Sequence, residues 1–214
     1  MPDLYLNTIT PLLWDILRKC MSSRQLDSFR LVGGTALTLQ RGHRQSDDID
    51  LFTDSEYQSI DFEAIEFWFK SNFTYVQSSG SLPVGMGKPF FIGNSQLDCI
   101  KLDLYYTDSF ISEPIEVNAL RLASIDDIVA MKMDVISRGG RKKDFWDIHE
   151  LLEEYTLETM ISLHRKRYPY SHDEQLLRRQ LTNFQNADQD FNPRCLLGKH
   201  WELIKLDLFT LSGK

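Results

Sequence analysis

Residues 31–52 read LVGGTALTLQRGHRQSDDIDLF. The apolar run Phe29 to Val32 is too short for anything but a strand, and Gly33-Gly34 stop it. Thr35 to Gln40 then has the make-up of a short helix, with Gly42 near the place where a left-handed cap closes one. His43 to Asp47 is polar loop, and Ile49 to Thr53 is a second short strand with Asp48 and Asp50 at its start. Strand, Gly-Gly, helix, loop and Asp-x-Asp in that order describe a site with a phosphate end and a divalent-metal end.

The chemistry follows from the residue types. Two glycines at a strand-to-helix turn let the backbone approach a ligand, and the free amides of the following helix face a phosphate, with the Thr35 hydroxyl as a further donor. Taken alone, Gly33-Gly34-Thr35 is equally a plain tight turn. No Gly-Lys-Thr/Ser follows, which excludes a P-loop, and no GxGxxG is present, which excludes a dinucleotide fingerprint. Asp48 and Asp50 alternate on a strand and so project to one side, where carboxylate oxygens suit Mg²⁺ or Mn²⁺. The bland alternative is a solvated strand end. Asp103 is the best-placed third carboxylate for a two-metal arrangement.

Outward from this stretch, Ile9 to Met21 carries apolar residues at three- and four-residue intervals, an amphipathic helix with Pro11 in its first turn. Asp61 to Lys70 fits another, burying Phe62, Ile65, Phe69 and Phe67. Phe73–Ser78, Pro89–Ile92, Asp98–Tyr106 and Pro114–Leu120 are β-branched and aromatic, separated by turn residues. Within the third of these, Lys101, Asp103 and Tyr105 share one face while Leu102 and Leu104 take the other. From Ser124, which opens a capping-box pattern, the chain turns helical: one helix up to Arg138-Gly139-Gly140, a second from near Lys142, then segments at about 157–167, 173–185 and 198–211. Phe184 to Arg194 is a polar linker. The organisation is an α/β region over 1–122 and a C-terminal helical region over 123–214.

Composition bounds the function. The 214 residues suffice for a substantial core, and 42% hydrophobic with 26% charged residues is ordinary for a globular protein. No apolar run approaches a membrane span, the N-terminus MPDLYLNT lacks a secretory pattern, and Cys20, Cys99 and Cys195 have no metal-ligand spacing, so a cytoplasmic protein with reduced thiols is expected. The net charge of −7 argues against broad coating of nucleic acid. Two local basic clusters remain, Arg138/Arg141/Lys142/Lys143 and His164/Arg165/Lys166/Arg167, read either as solvated helix faces or as guides for RNA. Lys132, on the polar side of its helix, is placed to neutralise phosphate charge, and Lys143-Asp144 and Asp147, one turn apart, to pair with one another or with nearby basic side chains.

Together, Gly-Gly-Thr, then Asp-x-Asp twelve to fifteen residues on, then a strand aspartate match the pattern of nucleotidyltransferases with the polymerase-beta-like fold. GGTALTLQRGHRQSDDIDLF resembles the AbiEii/AbiGii toxin family more narrowly, and MKMDVISRGGRKKDFWDIHELL resembles that family's later Lys-bearing helix and Lys-Asp-x-x-Asp segment. The resemblance covers about Leu31 to Leu152. It implies an α+β fold, a short mixed sheet flanked by helices, followed by a C-terminal helical bundle. It implies transfer of a nucleoside monophosphate from an NTP to a hydroxyl of an RNA or tRNA end or of a protein. It also implies a toxin with a partner antitoxin, in a toxin–antitoxin or phage-defence setting. Carried over by position, Gly33, Gly34 and Thr35 cradle phosphates, Asp48, Asp50 and Asp103 hold Mg²⁺ or Mn²⁺, and Lys132 contacts the triphosphate. Asp144 is the acidic residue of the last block, and His43, Arg44 and Ser46 position the motif loop or touch phosphate. Two other readings compete. An aspartyl-phosphate phosphatase also uses Asp-x-Asp, but needs an apolar strand where Arg44-Gln45-Ser46-Asp47 stands; a non-catalytic nucleotide- or partner-binding module needs no metal.

Overall fold

The computed structural model describes residues 4–78 and 85–212. Met1–Asp3, where the N-terminal stretch read for a leader begins, lie outside the described residues. Strands β1 (Arg30–Leu31), β2 (Asp48–Thr53), β3 (Tyr75–Ser78), β4 (Gly87–Ser95), β5 (Asp98–Tyr106), β6 (Ile115–Val117) and β7 (Leu120–Leu122) build one mixed sheet. Their order is β3-β4-β5-β2-β1-β7-β6. Helices α1 (Pro11–Met21), α2 (Gly33–Arg41), α3 (Phe62–Asn72), α4 (Ile125–Ser137), α5 (Lys142–Leu151), α6 (Leu157–Arg167), α7 (Glu174–Gln180) and α8 (Trp201–Ser212) complete the α+β architecture.

The central strand decides where the chemistry sits. β2 runs antiparallel to β1 and parallel to β5, in a register that sets Asp50 opposite Asp103 and Asp48 opposite Lys101. Ile49, Leu51 and Thr53 point into the core, which leaves Asp48, Asp50 and Phe52 together on the other face. β5 alternates likewise: Ile100, Leu102 and Leu104 are buried, whereas Lys101, Asp103 and Tyr105 share the open face, as the alternation in the sequence requires.

Several elements match the sequence expectations and a few depart from them. Thr10 caps α1 through a hydrogen bond from Leu13 N (3.2 Å), Asp61 caps α3 and Ser124 caps α4. The helix expected from Thr35 begins two residues earlier, at Gly33, because the left-handed φ of +67° at that glycine turns the chain directly out of β1. Gly42 closes α2 with φ +70° and its N–H on Thr38 O at 2.8 Å. Pro114–Leu120 is not one strand but the start of a hairpin, since Asn118 and Ala119 both have positive φ and reverse the chain between β6 and β7. Phe67, expected on the buried side of α3, is 74% exposed; Phe62, Ile65 and Phe69 fill that side. The helix expected over 173–185 stops at Gln180.

One cluster of buried apolar side chains extends from Leu13 and Leu17 through Leu51 and Leu102 of the sheet to Phe145, Ile161 and Ile204. After Leu122 the described chain is helices and turns, apart from a one-residue bridge between Arg44 and Cys195.

Candidate active site

The N-terminus of α2 and the open faces of β2 and β5 converge on a cavity of ≈ 500 Å³, closed on its far side by α4 and the start of α5. Gly33, Gly34, Asp48, Asp50, Asp103 and Lys132 all line it. No side chain caps α2, so its first backbone N–H groups and the positive end of its dipole face the cavity, an arrangement that receives phosphate. The glycines are needed sterically. A Cβ on Gly33 would lie 2.7 Å from Asp50 Oδ2, and one on Gly34 would lie 2.5 Å from the Arg44 guanidinium.

The three carboxylates stand side by side. Burial, and then the charges of Asp103 and Asp48, push the Asp50 carboxyl up to about 6. Among the described residues, Asp103 Oδ1 is buried without a hydrogen-bond partner. Hard oxygen donors crowded until their charges repel, with one oxygen unpartnered, suit a divalent cation. Among the described residues, however, no three His, Cys, Asp or Glu groups already converge as a metal shell. Two amines engage the outer carboxylates instead, Lys143 Nζ at 3.4 Å from Asp48 Oδ2 and Lys101 Nζ on Asp103 Oδ2.

Thr35, His43 and Arg44, also singled out in the sequence, do not line this cavity. Thr35 is 1% exposed; its hydroxyl donates to the Asp48 carbonyl and lies 2.8 Å from Ser46 Oγ, which ties α2 to the start of β2. Ser46, also on the cavity wall, is therefore part of that tie. Arg44 is 2% exposed and bidentate on Asp147, with Nε 2.6 Å from Oδ1 and one terminal nitrogen 2.7 Å from Oδ2. His43 Nε2 lies 2.8 Å from the same carboxylate.

Asp147 is the hub that sequence reasoning did not single out as a site residue. It also meets Lys132 Nζ at 2.6 Å, and Lys132 meets Asp144 Oδ1 at 2.7 Å. Asp144 and Asp147 thus pair with Lys132, Arg44 and His43, not with each other or with Lys143. Two cations and two anions balance in a buried cluster. Burial opposes ionisation of Asp147, but the Arg44 and Lys132 charges overcome it and hold the carboxyl well below its usual range. Burial likewise opposes the charge on Lys132, and Asp144 and Asp147 restore it. The available signal was the motif's own His43-Arg44, two buried polar groups that needed an anion.

The cations with exposed side chains at the cavity are different ones. Arg141 is 65% and Lys143 31% exposed at the cavity wall, and Lys101 shares the face of Asp103. The two basic clusters do not form continuous surface patches. Lys142 is buried against the Asp190 carbonyl at 2.6 Å, and Arg167 is buried on Asp127 at 2.8 Å. His164 is 1% exposed, Arg165 pairs with Glu174, and Arg138 pairs with Asp134. Amphipathic packing of α5 and α6 accounts for this, since in each a basic residue falls on the inward face.

Three comparisons bear on this geometry. The sequence model of the family described as nucleotidyl transferase AbiEii toxin, type IV toxin–antitoxin system, matches residues 15–212. An uncharacterized protein from Aquifex aeolicus is 30% identical over 184 residues, covering 82% of this chain and 83% of its own. Among solved structures, the nucleotidyltransferase toxin MenT4 from Mycobacterium tuberculosis superposes with a TM-score of 0.53 at 12% identity, over 94% of this chain and 83% of its own. JHP933 from Helicobacter pylori gives 0.54 at 16%, over 98% and 90%. At these identities the structural likenesses show the fold.

Proposed function

The chain belongs to the AbiEii nucleotidyl transferase toxin family of type IV toxin–antitoxin systems, and from that premise we propose that it transfers a nucleoside monophosphate from an NTP to an acceptor hydroxyl, in a metal-dependent reaction run by Asp48, Asp50 and Asp103. The observation that carries this reading is the register of β2 on β5, which brings three carboxylates to the mouth of an uncapped, glycine-led helix.

Each group has a part in it. The amides of Gly33 and Gly34 hold the leaving end of the triphosphate, and Lys143, Arg141 and Lys101 offset its charge as they release their carboxylate partners. When bound, a divalent cation held by Asp48, Asp50 and Asp103 supplies the charge neutralisation that phosphoryl transfer needs. The acceptor oxygen attacks the α-phosphorus, a new O–P bond forms, and the bond to the bridging oxygen breaks to free pyrophosphate. The unpartnered Oδ1 of Asp103 is available to take the acceptor's proton. Asp147 and Arg44 do not touch substrate; they hold the motif loop and Lys132 in place. Lys132 lines the same cavity, and its amine, held by Asp144 and Asp147, adds positive charge behind the triphosphate.

The test is incorporation of label from each of the four NTPs into cell extract with Mg²⁺. Wild type should label an acceptor and the Asp48→Ala/Asp50→Ala double variant should not; equal labelling by both would sink the proposal.

A further inference from the structure

A second cavity, of ≈ 330 Å³, abuts the first and shares Ser46, Asp48, Arg141 and Lys143 with it. Its other wall is the segment Asp190–Arg194, from the stretch that reads in sequence as a polar linker. That segment is anchored at both ends. Lys142 Nζ donates to the Asp190 carbonyl at 2.6 Å and to Asn192 Oδ1 at 3.1 Å, and the Lys142 amide donates to Asp190 Oδ2 at 3.2 Å. At the far end Gln45 N donates to the Arg194 carbonyl at 2.9 Å, and Leu196 N to the His43 carbonyl at 2.9 Å. The segment is thus fastened to the motif loop, which leads into Asp48, and to the first turn of α5, which carries Lys143.

On this anchored backbone two side chains are left without partners. The Phe191 ring is 98% exposed, and the Arg194 guanidinium makes no ion pair or hydrogen bond among the described residues. An aromatic face held out by a fixed backbone, with Arg141 and Arg194 lining the same cavity and a volume at the lower end of the roughly 300–1,000 Å³ usual for small-ligand sites, has the chemistry of a stacking platform. Arg offers a bidentate fork to phosphate and Phe a π-face that accepts any base.

We propose that this second cavity is a nucleotide subsite, in which Phe191 stacks a nucleobase and Arg194 and Arg141 hold the phosphate attached to it, next to the reacting centre at Asp48. The inference rests on the nucleotidyl-transfer reading and makes it more specific. Two sources can present that unit: the base of the incoming NTP, or a nucleotide of a nucleic-acid acceptor. A protein acceptor has no use for the ledge.

The protein of residues 1–214 is titrated with two probes, each of the four Mg·NTPs and a fluorescein-labelled oligoribonucleotide of about 10 nucleotides. Wild type is compared with Phe191→Ala, Phe191→Trp and Arg194→Ala. Phe191 is solvent-exposed, so its substitution leaves folding intact, which the thermal midpoint checks. Phe191→Ala should weaken one probe by about 5- to 100-fold, Phe191→Trp should restore it, and Arg194→Ala should weaken the same probe and reduce its salt dependence. Loss confined to the oligoribonucleotide assigns the ledge to the acceptor, and loss confined to an NTP assigns it to the incoming base. If wild type binds Mg·NTP in a manner that Asp50→Asn abolishes, while the ledge variants bind both probes as wild type does, the subsite is overturned and the transferase reading stands. If wild type binds neither probe, both fall.

Discussion

Asp147 and Asp50 are both aspartates near the same cavity, and their surroundings drive them in opposite directions. Asp147 sits between Arg44, Lys132 and His43, and removing its charge leaves the buried Arg44 without a carboxylate and Lys132 with Asp144 alone. Asp147→Ala should therefore cost about 3–5 kcal/mol of stability, read from urea midpoints at neutral pH. Its carboxyl is lowered in the fold, so its contribution is present above the ordinary carboxylate range and lost as acid titrates it. Wild type should accordingly lose more stability than Asp147→Asn on going from pH 5 down to pH 2. For Asp50 the sign reverses. Its carboxyl rises from 3.8 to about 6 through burial and the charges of Asp103 and Asp48, so the folded state binds the proton more tightly than the unfolded chain. Metal-free stability from this group is greatest below the unfolded value and declines as pH rises through about 6. In EDTA, Asp50→Asn should be more stable than wild type by up to ~3 kcal/mol at pH 7.5, with the gap closing by pH 4, while transferase activity is lost. A variant less stable than wild type at both pH values would contradict the account of Asp50.

At the scale of elements, the turn between β1 and α2 and the turn between β6 and β7 carry the backbone constraints. Gly33 combines a left-handed φ with an approach to Asp50 that leaves no room for a Cβ. Gly33→Ala should cost about 1–2 kcal/mol and sharply weaken NTP binding, since the first amides of α2 would move. Ala119, at φ +63°, occupies a hairpin position that suits Gly. Ala119→Gly should stabilise the fold by about 0.5–1 kcal/mol without touching activity, which thermal unfolding and the labelling assay would check together. Much at this scale was legible in the chain. The 98–106 strand, the 157–167 helix and the cap at Gly42 were expected where they occur, because alternation, three-to-four spacing and a glycine stop are local signals. The β6–β7 hairpin was not, because Asn118-Ala119 lacks the glycine by which such a turn is recognised.

Across the whole molecule, the helices after Leu122 do more than extend the sheet. α4 and α5 close the cavity, bring Lys132, Arg141 and Lys143 to it, and supply the anion that Arg44 requires. The apolar core is continuous between the two regions. A fragment of residues 1–122 should therefore fail to give cooperative unfolding, exposing the apolar face that α4 and α5 cover and leaving Arg44 and His43 unpaired; a sharp transition in that fragment would show the front region to be self-sufficient. Saturating Mg·NTP should raise the thermal midpoint of the full chain, by an increment equivalent to about 2.7 kcal/mol at a hundred times its dissociation constant, and should do nothing for the Asp48→Ala/Asp50→Ala variant.

The sequence by itself determined the order of elements from Leu31 to Phe52, the common face of Asp48 and Asp50, the placement of Asp103 on the less apolar face of its strand, and the family to which these residues point. The element order and the strand faces follow from periods of two and 3.6 residues and from glycine's freedom, all of which act over a few neighbours, whereas the family follows from the resemblance of the whole motif. The tertiary structure alone decided which strand stands beside β2, and hence that Asp103 faces Asp50. It also decided which charges are spent internally. Arg44 and Asp147 lie 103 residues apart, and no local pattern says that the motif arginine turns inward to them while Lys143 and Arg141 reach the cavity. Burial made that choice: a charge removed from water needs a partner wherever the chain can deliver one, and the chain delivers it from α5.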